Sequence, residues 1–277
     1  MRQQYFAITV FLYSMLVVCF HEVTLAASYE MADTQMHVMQ TSDTRNQDYM
    51  LYVQLPTGYE DSGNRHKHYP VIYLLDPYWD FPVVAGARSG LVFDGIVPEY
   101  IVVGIGYSTQ GQVEEGDVVN ILRKIDYTPV RDASEPNTGD AAAFMSFIKS
   151  SVIPFVEDSY RIADYRVFAG TSSGGLFSLY LMFENPGLFQ GHIAIAPAVG
   201  YFHRWAFVKE SLFYSADPVN GIDPSGRTLP TRLYMSVGSN DQLDNFTRES
   251  IAFGKLLKGR EYEGLNFKFE VKQNEHH

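Results

Sequence analysis

The sequence of 277 residues contains one cysteine, Cys19, so an internal disulfide and a cysteine-based zinc site are both excluded. Basic residues are also scarce: 21 Lys and Arg stand against 32 Asp and Glu, which gives a formal net charge of -11. This balance argues against a nucleic-acid-binding protein, which needs Lys and Arg to neutralise phosphates. The sequence has no repeat or low-complexity segment, and its 46% hydrophobic and 19% charged residues indicate a globular protein.

The N-terminal segment is typical of a secretory signal peptide. Arg2 precedes an almost uninterrupted apolar run from Tyr5 to Phe20, and small residues follow this run. The run is about 16 residues long, which is short for a membrane span. We therefore expect a signal peptide at residues 1–26, a domain at residues 27–277, and a secreted or periplasmic protein without a stable membrane span. Lipoprotein anchoring at Cys19 is the alternative, although a bulky valine precedes this cysteine where a small residue is expected.

Apolar segments of strand length alternate with polar loops and, later in the chain, with helical patterns. The strand-like segments are 36–39, 50–55, 69–75, 100–106, 165–169, 192–196, 232–237 and 267–271. Helices are predicted from an N-cap at Asp140 to about residue 155, and over 174–183 and 246–257, with Pro154 bending or restarting the first of them. Continuous apolar strands followed by helices indicate one α/β domain whose eight-stranded sheet is mostly parallel, with helices on both faces.

The pentapeptide from Gly170 to Gly174 has the pattern Gly-x-Ser-x-Gly and lies between a predicted strand and a predicted helix. In this context the pattern is typical of a nucleophile elbow, a sharp turn that exposes the serine hydroxyl above the sheet. We expect side chains at both glycine positions to collide. Thr171 and Ser173 are the competing hydroxyls, but only Ser172 has glycine at both second neighbours. The pattern predicts Ser172 as the nucleophile and the Ser173 N–H, at the helix N-terminus, as an oxyanion donor.

A serine nucleophile needs a base and an acid that orients the base, and here they are expected in the order Ser, acid, His. Asp241 follows the predicted strand 232–237 and is the expected acid. Asp244 competes with it, but fits better as the cap of the following helix. The base is expected after the last strand, where His276 and His277 both lie, and the residues alone do not separate them. A terminal histidine pair also occurs in purification tags, but the strand before it favours a native histidine.

The chain resembles the Putative esterase family of α/β-hydrolases over residues 40–277. The motifs that carry the resemblance are YPVIYLLD at 69–76, IVVGIGY at 101–107, Arg123 with DYTP at 126–129, IPF at 153–155, YR at 160–161, the elbow at 169–176 and NPGLF at 185–189. The family includes siderophore (enterochelin-type) esterases, feruloyl esterases and relatives of esterase D. The resemblance implies the α/β-hydrolase fold, and the family's Glu-x-His pattern implies His277 as the base, two residues after Glu275.

The second oxyanion donor is expected in the loop after the third predicted strand, residues 76–80. Family relatives often have glycine after the aspartate, whereas this chain has Pro77, which has no N–H. The Tyr78 amide is therefore the expected donor. Trp79 is expected to border the substrate as part of an aromatic wall. Trp205 is a second expected substrate contact, because it follows the sixth strand, where this fold commonly builds its substrate pocket.

Together these residues predict a serine carboxylic-ester hydrolase. His277 would remove the Ser172 proton, Asp241 would stabilise the imidazolium and water would release the acyl group, so neither a metal nor an organic cofactor is required. The expected partner is a small-molecule ester, from a siderophore or of the aromatic feruloyl type. The alternatives are an acyltransferase on the same fold and a non-catalytic ligand-binding member. Because relatives continue through a helix after the base, we expect this sequence to be truncated at its C-terminus.

Overall fold

The computed structural model describes residues 30–41, 47–108, 115–215, 227–240 and 246–276, except for the side chains of residues 115 and 116. The predicted signal peptide lies outside the described residues, and so do Asp241, Asp244 and His277. The chain divides after Ala32 into a short N-terminal unit and a main unit, Asp33–His277. All elements below belong to the main unit. None of the described helices is long and apolar enough to cross a membrane.

The described residues form a single sheet of eight strands. These are β1 Thr34–Met39, β2 Tyr49–Gln54, β3 Tyr69–Leu75, β4 Ile101–Tyr107, β5 Ile162–Thr171, β6 Gly191–Ile195, β7 Arg232–Gly238 and β8 Asn266–Lys272. Their spatial order is β1-β2-β4-β3-β5-β6-β7-β8. The pairs β1–β2 and β2–β4 are antiparallel and all other pairs are parallel. All eight predicted strands are confirmed, and the largest shift is at β5, which starts at Ile162 instead of residue 165.

The strands β4 and β1 differ in burial. Every residue of β4 is buried, as expected for a continuous apolar strand with helices or loops on both faces. In β1, at the edge, Met36 and Val38 are 58% and 46% exposed. The apolar run predicted at 100–106 is therefore a strand buried on both faces.

Seven helices lie among the described residues. They are α1 Asp80–Phe93, α2 Glu115–Tyr127, α3 Ala141–Phe147, α4 Ile153–Ser159, α5 Ser173–Glu184, α6 Trp205–Tyr214 and α7 Phe246–Gly259. The sequence pattern predicted α3, α4, α5 and α7, but not α1, α2 or α6. Helix α1 contains Pro82, Gly86 and Gly90, which weaken any helical signal. It forms because Phe81 and Ala85 are buried.

The helix start predicted at Asp140 is partly wrong. Helix α3 begins at Ala141, but the Asp140 carboxylate makes no capping hydrogen bond to it. The backbone fixes this residue instead, because the Asp140 N–H donates to the Ile125 carbonyl at 2.9 Å. Between α3 and α4, residues 148–152 form a π-helical turn that ends just before Pro154. The predicted interruption of the helix at Pro154 is therefore confirmed.

Helices cover both faces of the sheet. On one face Phe177 of α5 contacts Phe168 of β5, with ring centroids 5.7 Å apart, and α7 lies against β8 through Gly254. On the opposite face α1 reaches β4, where Phe81 lies against Gly104. Because β3 to β8 are parallel, their carboxyl ends meet at one edge. The loops that follow these ends form the candidate site.

A buried ion pair joins α6 to the segment after α7. The Glu210 side chain has no exposed surface and accepts hydrogen bonds from Nε and Nη2 of Arg260, at 2.9 and 3.2 Å. The Tyr262 hydroxyl donates to the same carboxylate at 2.8 Å. Burial, followed by this hydrogen bond, raises the pKa of Tyr262. The three groups satisfy a carboxylate that could not otherwise be buried as an ion.

Candidate active site

Ser172 occupies the sharp turn between β5 and α5. Its φ of 60° and ψ of -119° lie in a region that residues with a side chain rarely adopt. Backbone hydrogen bonds hold the turn: the Ser172 N–H donates to the Ile195 carbonyl at 2.9 Å. The Ser172 carbonyl accepts from the N–H groups of Leu176 at 3.0 Å and Ala198 at 3.1 Å. The strained strand-to-helix turn predicted around Ser172 is therefore present.

Sterics require only one of the two glycines that flank this turn. A Cβ on Gly170 would lie 2.3 Å from the carbonyl oxygen of Gly174, so no side chain fits there. A Cβ on Gly174 would lie 3.4 Å from its nearest neighbour, Leu75 Cδ1, which is an ordinary contact. The prediction that side chains at both positions would collide is right for Gly170 and wrong for Gly174.

The loop after β3 reverses direction at Asp76, whose φ is 55°. The Asp76 carbonyl accepts hydrogen bonds from the N–H groups of Trp79 at 3.0 Å and Asp80 at 3.1 Å, which starts α1. The Trp79 amide is therefore engaged within the turn. The Ser173 amide is the first of α5, a position at which the N–H has no partner in its own helix.

Pro77 and Tyr78 fix this loop on β4. The Tyr78 hydroxyl donates to the Tyr107 carbonyl at 2.7 Å and accepts from the Tyr107 N–H at 2.5 Å. The Pro77 ring lies on two glycines of β4. A Cβ on Gly104 would be 2.8 Å from Pro77 Cβ, and one on Gly106 would be 2.6 Å from Pro77 Cγ. The position of the loop therefore depends on the absence of side chains at these two positions of β4.

The Asp76 carboxylate is buried and bound to α2. Arg123 donates from Nε to Oδ1 at 2.6 Å and from Nη2 to Oδ2 at 2.8 Å, and the Tyr127 hydroxyl donates to Oδ1 at 3.2 Å. Burial opposes the charge on Arg123, but the hydrogen bonds and charge of Asp76 outweigh it and raise the pKa of the guanidinium. These residues belong to motifs that carry the family resemblance, but their pairing is not predicted, because 47 positions separate Asp76 from Arg123 and no local pattern links them.

A second contact ties the same loop to the elbow. The Thr171 hydroxyl donates to Asp80 Oδ2 at 3.2 Å. Burial raises the pKa of the Asp80 carboxyl, and the hydrogen bond from Thr171 acts in the opposite direction. The start of α1 and the residue before Ser172 are thus directly connected.

A cleft of about 660 Å³ opens at Ser172 and Ser173. Polar and charged side chains of α2 and the loop after it line part of the cleft: Arg123, Lys124, Thr128, Asp132 and Glu135. Aromatic rings line another part: Tyr201, Phe202 and Phe246. A cleft of this size and mixed lining can hold a small organic molecule against the serine. Within the part of the chain that the structure describes, no group of three or more His, Cys, Asp or Glu side chains is arranged to hold a metal ion.

The aromatic part of the cleft adjoins a strained turn. Phe202, His203 and Arg204 have φ values of 52°, 56° and 56°, in the left-handed region that usually requires glycine. Arg204 anchors the turn, because its Nη2 lies 3.0 Å from Glu249 Oε2 of α7 and its guanidinium lies 4.0 Å from the centroid of the Phe207 ring. Since none of the three residues is a glycine, the sequence carries no signal for this turn.

The predicted acid Asp241 and base His277 lie outside the described residues, but the residues just before them are in contact. The Asn240 N–H donates to the Glu275 carbonyl at 3.0 Å, and the Asn274 N–H donates to Ser239 Oγ at 2.9 Å. The chain after β8 therefore runs beside the chain after β7. His276, the alternative base, is described and exposed.

The two tryptophans predicted to contact substrate differ in their surroundings. Trp79 is 53% exposed, and its ring centroid lies 5.4 Å from the guanidinium of Arg123, which lines the cleft. Trp205 is half-buried and packs on Tyr180, with ring centroids 5.3 Å apart. Neither tryptophan is among the described residues that line the cleft. The structure thus places Trp79 beside a cleft-lining arginine and Trp205, the first residue of α6, against α5.

Comparisons with known proteins agree on one group of enzymes. The family model described as Putative esterase matches residues 42–276. Ferri-bacillibactin esterase BesA of Bacillus subtilis (strain 168) is 30% identical over 221 residues, which are 74% of this chain and 70% of that protein. Siderophore triacetylfusarinine C esterase of Aspergillus fumigatus is 28% identical over 163 residues, 56% of this chain and 53% of that protein. The crystal structure of BES protein from Bacillus cereus matches with a TM-score of 0.74 at 24% identity, over 93% of each chain.

Proposed function

This chain belongs to the Putative esterase family, has the α/β-hydrolase fold and is a carboxylic ester hydrolase, and we propose that it forms its acyl-enzyme on Ser172. The observation that carries the proposal is the strained turn at Ser172, which opens into the cleft at the N-terminus of α5. Strain at a residue with a side chain is retained where function requires it, and an elbow requires it to expose the hydroxyl.

The proposed mechanism is a two-step acyl transfer. His277 accepts the Ser172 proton as the oxygen attacks the ester carbonyl, and Asp241 orients and stabilises the imidazolium. His277 then gives this proton to the leaving alcohol, which leaves the acyl group on Ser172. In the second step His277 accepts a proton from water as the water attacks the acyl-enzyme, and returns it to Ser172 as the acid is released. The hydrogen bonds between residues 239–240 and 274–275 support the assignment, because they bring the residues that precede Asp241 and His277 together.

The proposed oxyanion donors are the amides of Ser173 and Tyr78. Two observations favour Tyr78: Pro77 has no N–H, and the Trp79 N–H is engaged by the Asp76 carbonyl. Ser173 is the first residue of α5, where the unpartnered N–H groups and the helix dipole favour negative charge. Preorganised donors of this kind supply a large part of the rate enhancement in acyl transfer.

The substrate is a small-molecule ester, and we infer an ester of a siderophore or an aromatic ester of the feruloyl type. The names of two relatives, Ferri-bacillibactin esterase and Siderophore triacetylfusarinine C esterase, favour the first. The rings of Tyr201, Phe202 and Phe246 in the cleft suit an aromatic group in either substrate. Trp79, exposed beside the cleft, is the proposed outer contact, and Trp205 as a further contact stays a prediction from the sequence.

We also infer that the enzyme works outside the cytoplasm. The charged start, apolar run and small residues of segment 1–26 support a cleaved signal peptide. Cleavage there would leave a mature enzyme without cysteine, since Cys19 is the single one. Mass spectrometry of the N-terminus after secretion would identify the cleavage site.

Labelling with a fluorophosphonate, alongside hydrolysis of a short p-nitrophenyl ester, tests the role of Ser172. Wild type is expected to be labelled and active, whereas Ser172→Ala should lose labelling and at least about 10³-fold in kcat. Ser211→Ala, at an exposed serine of α6, is the matched control and should behave as wild type. Equal labelling of wild type and Ser172→Ala would contradict the assignment.

The same assay separates the two candidate bases. His277→Ala is expected to reduce kcat as severely as Ser172→Ala, because the serine then has no general base. His276→Ala should retain activity. The reverse result would assign the base to His276 and leave Ser172 in place.

A further inference from the structure

Arg123 lines the cleft at Ser172, but its hydrogen bonds point to the loop after β3. Nε and Nη2 of its guanidinium donate hydrogen bonds to Oδ1 and Oδ2 of Asp76, at 2.6 and 2.8 Å. The side chains of Arg123 and Asp76 are 18% and 4% exposed. A bidentate pair this well shielded is specific in geometry as well as strong. Its two charges balance each other, so the pair presents no net charge to a substrate.

Asp76 in turn determines the shape of the loop. Its backbone is in the left-handed region, and its carbonyl accepts hydrogen bonds from Trp79 and Asp80. Pro77 and Tyr78 lie between the two ends of this turn. Since Pro77 has a fixed φ, a change in the backbone of Asp76 passes directly to the amide of Tyr78.

We propose that Arg123 is a positioning residue for ester hydrolysis. It holds Asp76, with Tyr127 as the third partner, and thereby keeps the Tyr78 amide at the distance an oxyanion requires. The inference rests on the proposed function, in which the Tyr78 amide is one of two oxyanion donors. An oxyanion hole acts through donors that are already in place, so a loop displaced by a fraction of an ångström loses rate rather than substrate affinity.

The protein contains a matched control for this arrangement. Arg260, Glu210 and Tyr262 repeat the combination of a bidentate arginine, a buried carboxylate and a tyrosine hydroxyl. These three residues join α6 to the segment after α7. None of them is among the described residues that line the cleft. Equivalent substitutions in the two clusters therefore separate general loss of packing from loss of loop position.

The test compares Arg123→Lys and Tyr127→Phe with Arg260→Lys and Tyr262→Phe. Lysine keeps the charge of arginine but lacks the planar fork. With a neutral p-nitrophenyl ester, Arg123→Lys is expected to lower kcat by about ten- to a hundredfold while KM stays within about twofold. Tyr127→Phe should lower kcat less than Arg123→Lys does, because it removes a single hydrogen bond to Asp76. Arg260→Lys and Tyr262→Phe should keep kcat within about twofold, even where they lower the melting temperature.

Hydrogen exchange provides a readout that does not depend on turnover. The Trp79 and Asp80 amides, both bonded to the Asp76 carbonyl, should exchange faster in Arg123→Lys than in wild type and should not change in Arg260→Lys. Unchanged exchange together with unchanged kcat would overturn the proposal. A loss confined to KM would also overturn it, because Arg123 would then be a substrate contact. If wild type hydrolyses no ester, or Ser172→Ala still does, the proposed function fails, and the exchange rates still decide whether Arg123 holds the loop.

Discussion

Backbone strain in this protein is concentrated in the loops that follow β3, β5 and β6. Asp76, Ser172 and Ala196 have φ values of 55°, 60° and 40°, and residues 202–204 lie in the same region. Each such residue costs about 1–3 kcal/mol and persists only where neighbouring contacts hold it. Here the contacts are the backbone bonds of Ser172, the Arg123 pair at Asp76 and the Glu249 pair at residue 204. Strain therefore marks the loops around the cleft.

Alanine at the two glycines of the elbow should have opposite consequences. Gly170→Ala is expected to lower the free energy of unfolding by about 3 kcal/mol or to prevent folding, because its Cβ would lie 2.3 Å from a backbone oxygen. Gly174→Ala should change it by less than about 1 kcal/mol, since the added Cβ makes an ordinary contact and alanine favours the helix. Urea unfolding of both variants measures the difference. Similar losses in the two would show that glycine is needed on both sides of Ser172.

Of the three helices that the sequence pattern did not predict, one lines the cleft and two follow loops of the site. Helix α1 follows the loop after β3, α2 carries Arg123, and α6 follows the strained turn at 202–204. Their stability comes from burial of a few side chains, such as Phe81 and Ala85 of α1, more than from intrinsic propensity.

Substitution of a glycine in β4 should reduce activity through the loop that packs on it. Gly106→Ala is expected to lower kcat by about tenfold, because its Cβ would lie 2.6 Å from Pro77 Cγ and 3.0 Å from the Tyr78 hydroxyl. Gly90→Ala, in α1, is the matched control: its Cβ would meet nothing within 4 Å, so kcat should be unchanged and stability should rise by up to about 1 kcal/mol. Steady-state kinetics with the p-nitrophenyl ester decide the matter, and a fully active Gly106→Ala would disprove the dependence of the loop on β4.

The stability of the whole molecule should depend on pH through a histidine outside the cleft. His192 of β6 is 3% exposed with Ser178 Oγ at 3.3 Å, and burial lowers its pKa to about 3. Between an unfolded pKa of 6.5 and about 3, the unfolded chain binds a proton that the folded protein does not. The free energy of unfolding is therefore expected to fall as the pH falls through this window, by up to about 1.4 kcal/mol per unit.

Urea unfolding at about pH 7, 6 and 5 measures this dependence. His192→Gln should lower stability at every pH but remove the slope that His192 contributes. His66→Gln, at an exposed histidine outside the cleft, is the control and should keep the wild-type slope. Identical slopes in wild type and His192→Gln would show that His192 is not the responsible group.

Much of the sheet and part of the site could be predicted from local patterns. The strands appear as apolar runs because a strand buried on both faces, such as β4, must be apolar throughout. The turn at Ser172 could be located because a turn this sharp requires glycine at position 170, two residues before the serine. Such a short pattern can be recognised in the sequence. The carboxylate of Asp140 does not cap α3 and lies 3.8 Å from Arg131 Nη2 instead, a contact that local helix signals do not encode.

The amino-acid sequence was sufficient to identify the family, the order of strands along the chain and the sharp turn at Ser172, because each depends on residues that are neighbours in sequence. Only the tertiary structure revealed that Arg123 forms an ion pair with Asp76 and that Pro77 packs on Gly104 and Gly106. It also revealed that Ser172 lines the same cleft as the rings of Tyr201, Phe202 and Phe246. These contacts join residues from separate strands and helices. The parallel sheet brings them to one edge, and side-chain packing there is a property of the assembled fold.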